Sequence, residues 1–286
     1  MDARPSLGPR KVDFHCHLLP GVDDGPDTLE KALAMAEVAV AEAITDVVAT
    51  PHALHDTYSP AEEAVIQSFR SLQEAILRRN LPLRLHLAAE VTFRPDLVEV
   101  LTGQPSLTVR GERRYVLTEL PFYSYPNYVA PVCFELLLHG IVPVLAHPER
   151  NTYLQEHPYL LYELVAQGVM TQVDAESLTG RFGEPVQNAA LLFLRHGLTH
   201  LLGSDGHDPE RRPPRLEAAL RTIEAVAGRE QARLIGCEWP SHVLAGEYVA
   251  AVEPIPIDSR GRPRSVRAGW RRFFFPQRPR ATRPAR

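Results

Sequence analysis

A chain of 286 residues with 44% hydrophobic content can bury a substantial core, and α/β barrels of about 250 residues routinely form one domain, so a single catalytic domain is the first expectation. No stretch approaches the roughly 18 uninterrupted apolar residues of a membrane span, and the opening MDARPSLGPRK lacks a signal peptide's apolar segment, so the expected location is the cytoplasm. The net charge of −4 hides an asymmetry: residues 254–286 carry ten Arg and one Asp, which leaves about −13 on residues 1–253, a poor footprint for nucleic acid.

Short β-rich runs alternate with longer helical patterns. Val12–Phe14 reads as a strand, followed by a helix over Asp27–Ala43; Asp46–Thr50 and Pro60–Arg79 form the next such pair, and Arg84–Ala89 precedes a short helix near Asp96–Leu101. The alternation continues with Tyr115–Leu120, a helix at Val129–His139, Val142–Ala146, a helix at Pro158–Gln167, Met170–Val173, a helix at Pro185–His196, Leu201–Gly203 and a final helix over Arg215–Ala227. His139-Gly140 and His196-Gly197 put a cation-capable side chain beside a terminating glycine. About seven strands alternating with helices suggest a TIM-type barrel or a doubly wound sheet. Past Val252 the pattern dissolves into Pro- and Arg-rich sequence, so the expected division is a catalytic domain at 1–253 and a disordered basic tail at 254–286.

Polar residues able to bind metal sit where the predicted strands run out, and this favours the barrel, whose active sites assemble at strand ends. His15 and His17 flank Cys16, so strand alternation projects both imidazoles to one face. Asp23-Asp24-Gly25 is a turn sequence that can also present a carboxylate over the strand end. Pro51-His52 closes the second strand, and Glu90 closes the third, with His86 about 13 Å back along it and too far away to share a metal. Glu119, His147 and the Asp205-Gly206-His207 run repeat the theme. So many imidazoles and carboxylates at one barrel end would be uncompensated without metal, and a set with no thiolate suits Mn, Fe or Zn. The three widely spaced cysteines fit reduced thiols. A cysteine-dependent phosphatase is excluded, because Arg is required six residues after the nucleophile and those positions hold Val22, His139 and Val243.

The ordered set HCHLLPGVDDG, VVATPH, AAE, LTELP, LAHPERN, SLTGRFGE and SDGHDPERRPP resembles the polymerase-and-histidinol-phosphatase superfamily. Within it the chain is most similar, over roughly residues 11–250, to bacterial tyrosine-protein phosphatases that act with capsule or exopolysaccharide tyrosine kinases. The resemblance implies a distorted (β/α)7 barrel holding three divalent cations, Mn first with Fe or Zn as alternatives. His15, His17, Glu90 and Asp205 would surround one, Glu90, Glu119 and His147 the second, and Asp24, His52 and His207 the third, with Asp23 competing for the place of Asp24. It also implies Arg150 and Arg212 as phosphate contacts, with His207 beside them in the catalytic set; an Arg fork can grip two phosphate oxygens. Asp174-Ala175-Glu176-Ser177-Leu178 departs from the Asn-Ala-Gly-Ser-Leu of relatives.

The expected activity is metal-dependent hydrolysis of phosphotyrosine on a protein, the implied partner being a bacterial tyrosine kinase. A hydroxide held between two metals would attack phosphorus in line, without a phosphoenzyme. A histidinol-phosphate-type phosphatase and a non-catalytic metal-binding module are the alternatives; a nuclease suits the acidic body less well. Tyr123, Tyr125 and Tyr128 are expected either to line the substrate rim or to pack on the barrel end. Arg271, Arg272 and Phe273–Phe275 give the tail a means of contacting anionic surfaces, although no membrane span is expected.

Overall fold

The structure, a computed structural model, describes residues 10–249 and 253–257. The expectations for the tail beyond Ile257 therefore lie outside the described residues. Strand β1 (Val12–Cys16) leads into helix α1 (Leu29–Ala41), which starts where Thr28 Oγ1 accepts a hydrogen bond from the Lys31 backbone N–H. Ala32, Leu33, Met35, Ala36 and Ala39 follow helical spacing and give α1 its buried face.

The chain continues through β2 (Asp46–Ala49), β3 (His52–Ala53), α2 (Glu62–Arg78), β4 (Arg84–Leu87), β5 (Glu90–Thr92) and α3 (Leu97–Gly103). Next come β6 (Tyr115–Glu119), α4 (Val129–Leu138), β7 (Val142–Ala146), α5 (Thr152–Glu156) and α6 (Pro158–Ala166), then β8 (Met170–Asp174), α7 (Ala175–Thr179), α8 (Glu184–Arg195), β9 (Leu201–Gly203) and α9 (Glu217–Ala227). Both predicted glycine stops hold: Gly140 and Gly197 follow α4 and α8 at φ +74° and +68°, the left-handed region that tolerates glycine.

All the ladders are parallel, in the orders β1-β2-β4 and β3-β5-β6-β7-β8-β9. The two sets arise because two strands are interrupted, at Thr50-Pro51 and at Ala88-Ala89. Pro51 has no N–H to give to a ladder. The pairing nevertheless continues across both gaps: Thr50 N–H donates to Cys16 O at 3.0 Å, Ala88 N–H to Ala49 O at 2.9 Å and Glu90 N–H to Pro51 O at 3.0 Å. The predicted strand Arg84–Ala89 is thus shorter, and Glu90 begins a new one. At the far end Asp205 N–H donates to His15 O and His17 N–H to Gly206 O, both at 2.8 Å, so the segment after β9 lies beside β1. The result is an α/β fold with a curled parallel sheet.

Helical structure extends past Ala227, where no element was expected: α10 (Arg229–Arg233), a π-helical turn at Leu234–Glu238 and α11 (Trp239–Leu244). These pieces are too short for the 3.6-residue period to be legible, as are α5 and α7. Ile255 N–H donates to His196 O at 2.9 Å and Ile257 is buried, so the first residues of the predicted tail pack on the body.

Candidate metal centre

The strand ends deliver their polar residues to one place. His15 and His17 lie on the same side of β1 and its extension, fully buried, with their Nε2 atoms 3.1 Å apart; Cys16 points away, its Sγ 3.5 Å from Gly206 O. Glu90 sits between them and the neighbouring strands. Its Oε2 is 3.4 Å from His15 Nε2, 3.2 Å from His17 Nε2 and 3.1 Å from His52 Nδ1, and its Oε1 is 2.9 Å from His147 Nε2. Glu119 Oε1 lies 3.6 Å from the same His147 nitrogen. Asp205 Oδ1 faces His15, His17 and His207 at 3.5–3.6 Å. Asp24 Oδ1 is 3.6 Å from His52 Nε2 and 3.4 Å from His207 Nε2. The nine donor residues expected from sequence therefore converge.

Their donor atoms form four overlapping groups, each within 4.8 Å: His17, Asp24, His52 and His207; His15, His17 and Asp205; His15, Glu90 and His147; His52, Glu90 and Glu119. His147 and Asp205 occupy left-handed backbone conformations at φ +31° and +49°, uncommon for non-glycine residues and concentrated where side chains must be aimed. His86 is spent elsewhere, 2.8 Å from Asp46.

Partners behind the ring fix the tautomers of three imidazoles. Asp23 Oδ2 lies 2.7 Å from His17 Nδ1 and also accepts from the His52 backbone N–H at 3.1 Å. Gln172 Oε1 lies 2.8 Å from His15 Nδ1, while the Gln172 amide nitrogen donates to Asp174 Oδ1 at 3.0 Å. His207 Nδ1 is 2.8 Å from the Asp205 carbonyl oxygen. Each Nδ1 faces an acceptor and carries a proton, so Nε2 is the nitrogen turned toward the cluster, and its lone pair is the one a bound cation would take up. Asp23 is thereby distinguished from Asp24: it backs an imidazole, while Asp24 belongs to a donor group. Gln172 escaped sequence analysis, although a lone amide in the buried strand end MTQVD was its signal. Asp13 also escaped it; its carboxylate accepts from the Ser204 N–H and hydroxyl at 2.8 and 2.5 Å and pins the segment before Asp205.

The electrostatics are those of imidazoles and carboxylates compensating one another. Burial alone would lower the His147 pKa, but the Asp174 charge and the Glu90 hydrogen bond and charge outweigh it and push the group up to about 10. His17 is likewise held well above its usual value against burial, by Asp23 and Glu90, and Glu90 is held well below, chiefly by the His15 charge. Burial pushes Asp13 up to about 6, with the Ser204 hydrogen bonds opposing. Oriented imidazoles whose second proton a cation can displace, set among several carboxylates and without thiolate, suit divalent cations of the Mn, Fe or Zn kind.

Beside the donors a cavity of about 190 Å³ is lined by Asp24, His52, Glu119, Phe122, Arg150 and Arg212, among others. Arg150 Nη1 donates to Asp205 Oδ2 at 2.8 Å and Asp174 Oδ2 at 3.2 Å, and Arg212 Nη2 pairs with the same Asp205 oxygen. Asp205 thus offers one oxygen to the imidazoles and the other to the arginines. His55 and Tyr58 also line the cavity and stack on His52 at centroid distances of 4.9 and 5.7 Å; neither was singled out from sequence. Of the two expectations for the tyrosine loop, packing holds: Tyr125 stacks on Tyr153 and Tyr128 on Phe93, Tyr123 projects outward, and none of them lines the cavity. Glu176, the departure noted above, lies 3.1 Å from Arg181 Nε and is no part of the donor set.

The sequence model of the family described as "Capsular polysaccharide synthesis, CpsB/CapC" matches residues 11–245. Tyrosine-protein phosphatase YwqE of Bacillus subtilis (strain 168) is 30% identical over 249 residues, 87% of this chain and 97% of the relative. The putative tyrosine-protein phosphatase CapC of Staphylococcus aureus is 35% identical over 204 residues, 71% of this chain and 79% of the relative. Among solved structures, one from the work on YwqE of Bacillus subtilis and CpsB of Streptococcus pneumoniae, described as unique metal-dependent tyrosine phosphatases, superposes with a TM-score of 0.82 at 30% identity, covering 86% of this chain and 99% of that one.

Proposed function

The chain belongs to the CpsB/CapC family, and from that premise we propose that it is a metal-dependent protein-tyrosine phosphatase. Its substrate would be a tyrosine-phosphorylated protein, in the first place a bacterial tyrosine kinase controlling capsule or exopolysaccharide synthesis. The observation that carries the reading is Glu90, a buried carboxylate in reach of four imidazoles whose Nε2 or Nδ1 atoms face it, beside a cavity that also holds two arginines.

We assign three divalent cations, manganese first. His15, His17, Glu90 and Asp205 would hold one, Glu90, Glu119 and His147 a second, and Asp24, His52 and His207 a third. The donor groups support this division in part: His15, His17 and Asp205 stand together, as do Asp24, His52 and His207, while His17 also reaches the third position, His15 also groups with Glu90 and His147, and His52 with Glu90 and Glu119. Bound cations would supply Lewis acidity toward the phosphoryl oxygens and lower the pKa of a water for attack at phosphorus. Arg150 and Arg212 would bind and orient the phosphate, two guanidinium forks matching its oxygens. Phe122, stacked on His147 at 5.6 Å, and Tyr58 at the mouth give a phenyl ring aromatic faces to lie against. Burial and the His17 charge hold the pKa of His207 below its usual value, which suits a ligand. A tyrosine leaving group, with a pKa near 10, needs less proton donation than an alkoxide.

The seven strand paths, together with the hydrogen bonds between β1 and the segment after β9, support a closed, distorted (β/α)7 barrel as the scaffold. We further propose the division into a catalytic domain at 1–253 and a basic tail at 254–286, and a cytoplasmic site of action; no helix among the described residues is long and apolar enough to cross a membrane. Glu90→Ala and His147→Ala are the direct test: each should abolish phosphate release and lower bound metal while circular dichroism is unchanged. Full activity in either variant would sink the proposed site.

A further inference from the structure

The two arginines assigned to phosphate share one aromatic side chain. The Arg150 guanidinium carbon lies 4.7 Å from the ring centroid of Phe122 and 4.7 Å from that of Phe182, and the Arg212 guanidinium carbon lies 5.4 Å from the same Phe182 ring. Phe182 is thus the aromatic side chain common to both cations. The two guanidiniums meet on a single oxygen, Asp205 Oδ2, where their like charges repel. An aromatic face attracts a guanidinium held over it and leaves the N–H groups, which lie in the guanidinium's own plane, free to donate elsewhere.

Phe182 has no role in the apolar core. It is half-buried, belongs to neither core cluster, and stands in the short loop between α7 and α8. That loop is tied to the segment carrying Arg212: Arg181 Nη2 donates to the Arg211 carbonyl oxygen, and Arg181 Nε is 3.1 Å from Glu176 Oε2.

We infer that Phe182 is a positioning residue for phosphate recognition, its ring holding Arg150 and Arg212 side by side with their N–H groups converging on one point. Asp205 Oδ2 marks that point, and a phosphoryl oxygen would occupy the space beside it. The inference rests on the phosphatase reading of the two arginines, so its primary readout is binding, separate from turnover.

The experiment measures inorganic phosphate binding by calorimetry to the metal-loaded full chain, for the wild type, Phe182→Leu, Phe182→Met and Phe182→Tyr, with metal content and thermal midpoint checked for each. Replacement by Leu or Met should weaken phosphate binding by about tenfold, since two arginines no longer held by cation–π contacts must be ordered when phosphate binds, whereas Tyr should retain it within about twofold. In an Arg150→Met, Arg212→Met background the same Phe182→Leu change should have no further effect. Peptide kinetics should show the Leu variant raising KM more than it lowers kcat. Unchanged phosphate affinity in the Leu and Met variants would overturn the proposal, as would equal loss in Leu and Tyr, or a Leu effect that persists without the arginines. A wild type that binds phosphate yet leaves phosphotyrosine intact would refute the phosphatase reading while the role of Phe182 stood. A wild type that binds no phosphate would refute both.

Discussion

Gly203, the last residue of β9, separates the part the backbone plays in the centre from that of its ligands. A Cβ added there would lie 2.5 Å from His15 Cβ and 2.7 Å from Gln172 Nε2. Carbon pairs rest at about 3.5–4.0 Å, so Gly203→Ala forces these atoms apart by roughly 1 Å. Gln172 can swing aside only by giving up its contact with His15 Nδ1, and His15 Cβ moves only with β1. Overpacking of this kind costs about 1–3 kcal/mol, which for a domain of this size is a fall of roughly 2–12 °C in Tm. Misplacing His15 and its orienting amide should reduce activity more steeply, on the order of a hundredfold, since a displacement of about 1 Å can cost that much. The assay is thermal unfolding without metal, then Mn²⁺-dependent phosphate release, with Gly103→Ala as the control because nothing lies within 4 Å of its added Cβ. A Gly203→Ala protein with wild-type Tm and turnover would refute the claim that close β1–β9 approach sets the geometry of His15.

Two other perturbations test the surroundings. His200 is buried, accepts a hydrogen bond from the Thr171 N–H at 3.2 Å, and has its pKa pulled down by burial to about 4. Its folded pKa is below the unfolded value of about 6.5, so the unfolded chain takes up the proton first: the stability it contributes is complete above that pH and falls away toward pH 4, by about 2 kcal/mol at pH 5. Urea unfolding of metal-free protein at pH 7.5 and pH 5 should show that loss in the wild type and not in His200→Gln; identical pH dependence in both would exclude it. Asp23→Asn replaces the carboxylate behind His17 and should weaken Mn²⁺ binding about 10–100-fold with the fold intact, as read by metal titration. Unchanged affinity would mean that the 2.7 Å contact to His17 Nδ1 does not orient the ligand.

Most of the residues that converge were legible in the sequence because they end apolar runs and alternation fixes the face they present, as with His15 and His17 about Cys16 or Glu90 after Ala88-Ala89, whereas Asp24 stood in a turn sequence. What stands behind them was not. The contact of Gln172 with His15 depends on how β8, β9 and β1 are placed across a junction held by hydrogen bonds from Asp205 and His17, and one sequence does not contain that placement. Asp23 and Asp24 are adjacent carboxylates of equal chemistry; only the turn they occupy sends one behind His17 and the other toward His52 and His207. The strand breaks at Thr50-Pro51 and Ala88-Ala89 were half visible, through the proline alone. The helical pieces after Ala227 were hidden because they are short and carry Gly236 and Pro240, which read as breakers.

Mn²⁺-dependent release of phosphate from phosphotyrosine peptides and from histidinol phosphate, measured in parallel with a chelator and His147→Ala as controls, decides both the metal dependence and the substrate. The expected result is preference for the phosphotyrosine peptides, lost in both controls. Preference for histidinol phosphate would contradict the substrate assignment while leaving the centre in place, and no turnover of either compound by the metal-loaded protein would contradict the phosphatase reading itself.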